Sequence, residues 1–369
     1  MEKQNLAKQV SIMQHFDLKG PIVSMGEYGS GHINATYLVE VDENGSLEKY
    51  IFQQVNTDIF IDIARLMENI QGVTSYLTKQ IEARNGDPKR ETLQVIKTKD
   101  GENFYCDEDG LCYRVYRFIT DATSYDVVKS PKDFYESAVS FGNFQYLLAD
   151  YPAETLYETI PNFHHTAKRF ETFCQAVKED VCGRAASVQK EIDFVMARAK
   201  ETSALTSLLE SKELPLRVTH NDTKLNNIMI DDATGKGICV IDLDTVMPGS
   251  ALYDFGDSIR FGANTAVEDE TDLSKVSLDL DLYEIYVKGY LEGCKGSLTD
   301  LEVSLLPMGA KMMTLECGMR FLTDYLQGDH YFRIHREHHN LDRCRTQFAL
   351  VADMEKKWEE MKVIVEKCK

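Results

Sequence analysis

The chain has 369 residues, which is long enough for two lobes that each bury a core of their own. Its 41 Lys and Arg against 60 Asp and Glu give a formal net charge of −19, which argues against nucleic acid or an anionic membrane as a partner. The sequence contains no apolar run of membrane-spanning length and no signal-peptide core at its N-terminus, so we expect a cytoplasmic protein. The nine cysteines show no CxxC pair, and we expect them to be reduced packing residues.

The first part of the chain predicts a helix followed by an antiparallel sheet. The predicted elements are a helix at 7–16 and strands at 22–25, 36–41 and 50–55. The turn after the first strand carries Gly26, Gly29 and Gly31, which would let backbone N–H groups approach phosphates. Hairpin turns use glycine in any case, so the glycines alone are weak evidence for a nucleotide site.

The remaining periodicity predicts an α+β fold with two lobes. A helix at 58–83 and strands at 92–98 and 113–119 complete a small lobe. Helical patterns then follow at 131–150, 170–177, 192–199, 278–291, 305–326 and 348–365. We therefore predict a small antiparallel-sheet lobe at residues 1–119 and a larger, mainly helical lobe at residues 120–369.

The centre of the sequence joins a polar loop to a second carboxylate one strand further on. The loop has the spacing His220-x-Asp222-x-x-x-x-Asn227, and Asp242 follows the strand 238–241. In kinases this arrangement lets the first Asp accept the proton of the attacking hydroxyl, while the Asn and the second Asp hold the Mg²⁺ that bridges the ATP phosphates. The alternative interpretation is an acidic hairpin above a buried histidine. We expect His220 to brace the loop by hydrogen bonding rather than to carry a proton.

The segment 247–262 combines Gly, Pro and Asp at close spacing, which predicts a tightly specified loop. Asp254 or Asp257 could brace the central loop through His220 or through backbone N–H groups. The alternative is an ordinary helix N-cap, and the sequence alone leaves both interpretations open.

Two features near the end of the chain carry charge or titratable groups. Arg320 lies in a mainly apolar helix, where a charge is usually paired or faces a cavity. Four of the nine histidines fall in the segment 330–339, at 330, 335, 338 and 339. A metal site is one interpretation of this segment, although its spacing fits no defined site, and a solvated loop that partly faces the substrate is the other.

These residues together resemble the aminoglycoside phosphotransferase and choline kinase family, whose fold is related to that of protein kinases. The longer matches are similar to the N-acetylhexosamine kinases of that family and run almost from end to end of the chain. They lie at 31–39, 216–228, 241–245, 254–262 and 316–322.

The resemblance implies a two-lobed protein-kinase-like fold and Mg²⁺-dependent transfer of phosphate from ATP to the anomeric hydroxyl of an N-acetylhexosamine. Asp222 would be the general base, and Asn227 and Asp242 would be the Mg²⁺ ligands. The sugar would be faced by Asp222, Arg320, Tyr331, His32 and Asn34. The nucleotide would be contacted at Gly29, Gly31, Gln53, Arg117, Phe118 and Ile119, with His220 and Asp244 in support. We expect a monomer.

One position departs from the wider kinase pattern. The small-lobe strand that usually carries a phosphate-binding lysine has Gln53 and Gln54 instead, and neutral amides cannot supply that charge. Similar glutamines are typical of the hexosamine kinases. Two rival functions remain, namely a kinase for another hydroxyl (choline, homoserine or an aminoglycoside) and a non-catalytic nucleotide-binding regulator.

Overall fold

The computed structural model describes residues 2–29, 33–125 and 130–369, and for residues 2–7 it describes the backbone alone. By its internal contacts the chain forms two compact units. The sheet unit consists of Met1–Thr123 and Met229–Asp244, and the helical unit consists of Ser124–Ile228 and Thr245–Lys369. The lobe limits 1–119 and 120–369 stay predictions.

The helices of the described residues are, in chain order, α1 (Glu2–Met13), α2 (Ile63–Ala83), α3 (Pro88–Glu91), α4 (Pro131–Leu147), α5 (Thr166–Glu179), α6 (Gln189–Met196), α7 (Ala204–Glu210), α8 (Ala251–Gly262), α9 (Leu280–Cys294), α10 (Asp300–Ser304), α11 (Leu306–Gln327), α12 (His339–Lys356) and α13 (Trp358–Cys368). The strands are β1 (Ile22–Glu27), β2 (Ala35–Glu43), β3 (Ser46–Val55), β4 (Val95–Ile96), β5 (Tyr105–Cys106), β6 (Cys112–Arg117), β7 (Ala122–Thr123), β8 (Arg217–Thr219), β9 (Ile228–Asp231), β10 (Gly237–Val240) and β11 (Met247–Gly249).

The main sheet of the sheet unit is held by alternating apolar residues. Its strands follow the order β1-β2-β3-β6-β4, with β5 paired to β6, and the pairings between these strands are antiparallel. Val39 and Val41 on β2 point to the same buried face, because strand side chains repeat with a period of two. On that face Phe52 stacks on Tyr113, with ring centroids 5.4 Å apart. The smaller sheet β10-β9-β7 carries the chain to Asp242.

Several predicted elements have different bounds in the structure. The helix predicted from residue 58 begins at Ile63, because the Asp62 carboxylate caps it by accepting a hydrogen bond from the Arg65 N–H. The strand predicted at 92–98 is reduced to β4. The last predicted helix is two helices, α12 and α13, which meet at Lys357.

The prediction that all cysteines are reduced is wrong for one pair. Cys106 on β5 and Cys112 on β6 form a disulfide, and the two residues are directly opposite each other in the strand pairing. Their sequence spacing gave no sign of this, because the contact depends on how the two strands align. The other seven cysteines are free.

The helical unit depends on a close approach of α4 and α9. A Cβ atom on Gly142 would lie 2.3 Å from the carbonyl oxygen of Tyr290, and one on Gly293 would lie 2.3 Å from the carbonyl oxygen of Val139. Backbone atoms cannot move aside as flexible side chains can, so each site requires glycine. Among the described residues, no helix combines the length and the apolar character needed to cross a membrane.

Replacing Gly142 with alanine should destabilise the helical unit by about 2 kcal/mol or more, because the added methyl group overpacks two helix backbones. Chemical denaturation followed by circular dichroism measures the change. Gly26→Ala is the matched control, since a Cβ there meets no atom within 4 Å. Equal stability of the two variants would contradict the close-packed arrangement of α4 and α9.

Candidate active site

The central loop begins where β8 ends, and β8 is fixed by its antiparallel pairing with β11. The Thr219 hydroxyl adds a hydrogen bond to the Met247 carbonyl oxygen at 2.8 Å. The loop after Thr219 therefore starts from a rigid base in the helical unit, which is the kind of support that a catalytic side chain needs.

Asp254 in the first turn of α8 holds the backbone of this loop. Its carboxylate accepts hydrogen bonds from the N–H groups of His220 at 3.0 Å and Asn221 at 2.8 Å, and from the Gln145 amide at 2.9 Å. Burial raises the pKa of Asp254, although these donors favour its ionised form. The N-cap of α8 is Ser250, so of the two interpretations left open by the sequence, the loop brace is the correct one for Asp254.

Asp257, one turn further along α8, supports the next part of the loop. Its carboxylate accepts a hydrogen bond from the Thr223 N–H at 3.0 Å and pairs with Arg260 at 2.7 Å. Burial opposes ionisation of Asp257, but Arg260 and Lys224 outweigh burial and lower its pKa. Asp257 is therefore a charged anchor for the loop, and again not a helix cap.

His220 is fully buried against the aromatic rings of Phe141 and Phe144, at centroid distances of 5.5 and 6.1 Å. Its Nδ1 accepts a hydrogen bond from the Asp222 N–H at 3.3 Å, and its carbonyl oxygen accepts one from the Thr245 hydroxyl at 2.6 Å. The side chain thus contacts the loop itself, in an arrangement suited to bracing.

Asp222 is held through both oxygens of its carboxylate while 31% of its side chain stays exposed. Lys224 pairs with Oδ1 at 2.8 Å, and the Asn227 amide nitrogen donates to Oδ2 at 3.1 Å and to the Asp222 carbonyl oxygen at 2.8 Å. The Asn227 amide oxygen, the atom that a cation would bind, takes no part in these bonds. Sequence reasoning missed Lys224, although its place two residues after Asp222 was a visible signal.

The second predicted metal ligand, Asp242, belongs to the sheet unit. It follows β10 with a backbone φ of 58°, a left-handed conformation that Asp tolerates better than most residues. Asp244, two residues later, is buried and pairs with Arg114 at 2.5 Å, and it accepts a hydrogen bond from the Asn34 amide at 2.7 Å. The Asn34 amide oxygen in turn accepts a hydrogen bond from the Asn56 N–H. The amide nitrogen and the amide oxygen of Asn34, a predicted sugar contact, therefore both form hydrogen bonds within the sheet unit.

Arg114 stands opposite Gln53 in the pairing of β6 with β3. Its Nε donates to the Gln53 side-chain oxygen at 2.9 Å, and the Gln53 amide nitrogen donates to Thr36 at 3.1 Å. Burial would lower the pKa of Arg114, but the adjacent Asp244 carboxylate raises it, so the guanidinium stays charged. A charge in the buried run Cys112–Val115 was a signal that sequence reasoning did not use.

The other predicted nucleotide contacts have defined places in the sheet unit. The Arg117 side chain pairs with Glu48 at 2.8 Å, and the backbone N–H groups of Arg117 and Phe118 are bonded to the carbonyl oxygens of Gln94 and Lys49. Ile119 is buried, and Gly29 has a φ of 82°. Gly31 and His32 lie outside the described residues.

Arg320 and Tyr331, two predicted sugar contacts, lie together in the helical unit. The Arg320 guanidinium donates to the Tyr331 hydroxyl at 3.3 Å and lies 5.0 Å from the ring centroid of Phe163. Asp324 fixes the loop by accepting hydrogen bonds from the N–H groups of His330, Tyr331 and Phe332.

The His338 and His339 side chains of the segment 330–339 form hydrogen bonds, that of His338 with the Tyr325 hydroxyl at 3.0 Å. His339 lies 3.1 Å from an Asp269 carboxylate oxygen. Within residues 2–29, 33–125 and 130–369, no group of three or more His, Cys, Asp or Glu side chains could hold a metal ion. The described residues therefore give the metal interpretation of this segment no support, and Asp324 accounts for the shape of the loop.

Comparison with known proteins identifies the class. The model of the phosphotransferase enzyme family matches residues 25–274, well over half of the chain, and the chain belongs to this family.

Solved structures with the same fold include a microcompartment-associated aminopropanol kinase, 15% identical, with a TM-score of 0.57 and coverage of 97% of this chain and 98% of that one. A spectinomycin phosphotransferase in complex with ADP and spectinomycin is 12% identical, with a TM-score of 0.56 and coverage of 97% and 98%. A Plasmodium vivax ethanolamine kinase is 17% identical, with a TM-score of 0.51 and coverage of 88% and 82%. These similarities confirm the predicted kinase-like fold of a sheet lobe and a helical lobe.

The hairpin that leads to Asp242 provides a pH-dependent test. Hydrogen bonds from Thr234 and the ion pair with Arg90 lower the pKa of Asp231 to about 2. The ionised carboxylate therefore stabilises the fold above its unfolded pKa near 3.8, and this stabilisation is lost as the pH falls from there toward 2. We predict that the difference in melting temperature between wild type and Asp231→Asn is largest near pH 7 and shrinks below pH 4. A difference that is constant over this range would contradict the assignment.

Proposed function

We propose that the protein is a kinase that uses ATP and Mg²⁺ to phosphorylate an N-acetylhexosamine, GlcNAc or GalNAc, at its anomeric hydroxyl. This is the reaction of an N-acetylhexosamine 1-kinase. The observation that carries the proposal is the Asp222 carboxylate, which is partly exposed and is fixed by Lys224 and Asn227 on a loop whose backbone is anchored by Asp254. Membership of a phosphotransferase family supports the reaction type.

In the proposed reaction the anomeric oxygen of the sugar attacks the γ-phosphorus of ATP. The new oxygen–phosphorus bond forms as the bond to the leaving ADP oxygen breaks, and Asp222 takes the hydroxyl proton. An anomeric hydroxyl is more acidic than an ordinary alcohol, so a carboxylate without unusual activation is a sufficient base. Positioning and electrostatic stabilisation then supply most of the rate enhancement.

Asn227 and Asp242 would hold the Mg²⁺, which neutralises charge on the ATP phosphates when it is bound. An amide oxygen and a carboxylate are the hard oxygen donors that Mg²⁺ prefers, and the substrate phosphates complete such a site in many kinases. The described residues contain no group of three or more His, Cys, Asp or Glu side chains that could hold a metal ion. The proposed Mg²⁺ site has only one carboxylate and one amide from the protein and depends on the ATP phosphates, so that absence does not argue against it.

Arg320 and Tyr331 are the proposed acceptor contacts in the helical unit. A guanidinium offers several fixed N–H donors, which suits the hydroxyl and carbonyl oxygens of an acetylated sugar. Phe163, beside Arg320, adds an apolar surface of the kind on which a sugar face packs. His32 and Asn34 stay the proposed contacts from the sheet unit.

The proposed partners are ATP and the free sugar, and we propose that the protein acts as a monomer. The spectinomycin phosphotransferase of the same fold was solved with ADP, which supports an adenine nucleotide here. The supply of ATP favours a cytoplasmic location, while the Cys106–Cys112 disulfide counts against it because thiols there are normally kept reduced.

A second candidate is a kinase for an amino alcohol or an aminoglycoside. The aminopropanol and ethanolamine kinases of the same fold favour it. Against it stands Arg320, since a cation at the acceptor site would repel the ammonium group of such a substrate.

Removing the proposed base should abolish turnover. We expect Asp222→Asn to lower kcat with GlcNAc by at least about 100-fold, because general base catalysis is lost, while ATP affinity changes little. A coupled assay for ADP and calorimetry with ATP give the two quantities. The control is Asp232→Asn, an exposed acid in the β9–β10 turn whose removal should leave kcat unchanged. Full turnover of Asp222→Asn would rule out Asp222 as the base.

Changing Arg320 tests the acceptor site. We expect Arg320→Met to raise the KM for the sugar at least about tenfold, because charged hydrogen bonds to the acceptor are lost, and to leave the KM for ATP near its wild-type value. Arg333→Met, which removes an exposed arginine from the loop that carries Tyr331, is the matched control. If the KM for ATP rises while that for the sugar stays constant, Arg320 does not belong to the acceptor site.

A further inference from the structure

A buried polar network lies in the sheet unit directly beside the segment Asp242–Asp244. Its centre is Arg114, whose side chain is 2% exposed, and its charged partner is Asp244, whose side chain is 6% exposed. The Nη1 atom of Arg114 lies 2.5 Å from Oδ1 of Asp244, and Nε donates to Gln53 at 2.9 Å. Every member belongs to the sheet unit.

Three neighbouring strands, β2, β3 and β6, anchor the network. Arg114 and Gln53 face each other across β6 and β3, and Thr36 on β2 fixes the Gln53 amide at 3.1 Å. The guanidinium is therefore held at one end by the sheet before it meets Asp244 at the other. A side chain with so many fixed contacts sets the position of its partner.

Asp244 lies two residues after Asp242. The chain leaves β10 through Asp242 in the left-handed region, at a φ of 58°, which costs free energy for a residue other than glycine. Such a conformation persists only where neighbouring contacts fix it. Two side chains fix Asp244 just beyond it: Arg114 binds Oδ1, and Asn34 donates to Oδ2 at 2.7 Å.

We propose that Arg114 is a positioning residue that acts through Asp244 to hold Asp242 in the orientation needed to bind the metal–nucleotide complex. The inference rests on the proposed function, because it gives Asp242 the role of a Mg²⁺ ligand. It also assigns a role to Arg114, the cation beside Gln53. In the wider kinase pattern the strand that carries Gln53 has a lysine that binds phosphate. In this chain the buried cation, Arg114, pairs with Asp244, two residues after the proposed Mg²⁺ ligand Asp242.

The geometry requires arginine in particular. The guanidinium donates a hydrogen bond to Gln53 through Nε and forms an ion pair with Asp244 through Nη1, and these are separate atoms of one planar group. A lysine ammonium is a single point at the end of a flexible chain, so it can reach Asp244 but cannot keep the same fixed connection to Gln53. Arg114→Lys should therefore retain the charge and restore the function only in part.

The alternative is that Arg114 and Asp244 serve only the stability of the sheet unit. A purely structural ion pair would change the melting temperature when removed, and it would leave the effect of Mg²⁺ on nucleotide binding unchanged. The dependence of ADP affinity on Mg²⁺ therefore separates the two roles.

The test measures ADP binding by calorimetry with and without Mg²⁺. Arg114→Met alone would strand a buried carboxylate, so the main variant is the neutral pair Arg114→Met with Asp244→Asn. We expect the increase in ADP affinity caused by Mg²⁺ to fall at least about tenfold, as is common when a residue that orients a metal ligand is lost. The affinity without Mg²⁺ should stay within about threefold of wild type, since no adenine contact has changed.

Two further variants complete the experiment. Arg114→Lys should give a Mg²⁺ effect between those of wild type and the neutral pair. The control, Arg198→Met, removes the arginine that pairs with Glu355 through two bonds of 2.9 and 2.6 Å in the helical unit. It should lower the melting temperature and leave the Mg²⁺ effect intact.

The outcomes separate this inference from the proposed function. A wild-type Mg²⁺ effect in the neutral pair or in Arg114→Lys overturns the positioning role and leaves the kinase proposal standing. Wild-type protein that binds ADP equally with and without Mg²⁺ overturns both. A lost Mg²⁺ effect in the neutral pair, an intermediate one in Arg114→Lys and an intact one in Arg198→Met support the role of Arg114.

Discussion

The buried carboxylate of Asp254 is the contact on which the candidate base depends. It binds the N–H groups of His220 and Asn221, and these residues would otherwise leave donors unpaired in an interior that cannot hydrate them. An uncompensated buried donor costs about 1–3 kcal/mol, so the loop has one strongly preferred path. Asp222 follows immediately on that path, so its partly exposed carboxylate is attached to a backbone that the buried Asp254 holds in place.

The sheet unit repeats this design with different residues. There Asp244 is the buried carboxylate, Arg114 is the cation paired with it, and Asp242 lies two residues before Asp244 in the left-handed backbone conformation. In the helical unit Asp257 and Arg260 play the corresponding part for Thr223. Each of the two carboxylates that we propose to act in the reaction, Asp222 and Asp242, thus lies close in the chain to residues that a buried acid fixes or to a buried acid itself.

Periodic patterns in the sequence predicted the elements that depend on local burial. β2 and α2 could be recognised because their apolar residues repeat every two residues or every three to four, and the spacing from His220 to Asn227 predicted the central loop. Contacts between distant residues could not be predicted in this way. The pairing of Arg114 with Asp244, like the Cys106–Cys112 disulfide, depends on how strands align in three dimensions.

The sequence could not decide whether Asp254 and Asp257 brace the central loop or cap a helix, because that also depends on contacts between distant residues. Both lie near the start of a helix, where an acid is a plausible cap, and their sequence context is similar. The structure distinguishes them by the groups they reach: Asp254 binds the N–H groups of His220 and Asn221, and Asp257 binds that of Thr223. Ser250 is the cap, which local sequence preference also allowed.

Phosphorus-31 NMR of one reaction mixture is the most direct test of the proposed chemistry. The mixture contains the protein, MgATP and equal amounts of GlcNAc, GalNAc, ethanolamine and spectinomycin. Transfer to an anomeric oxygen predicts a new phosphomonoester signal whose phosphorus couples to the anomeric proton of a sugar, which a two-dimensional proton–phosphorus correlation identifies by the chemical shift of that proton. A new signal only from phosphoethanolamine or phosphorylated spectinomycin, or loss of ATP to ADP and inorganic phosphate alone, would contradict the account.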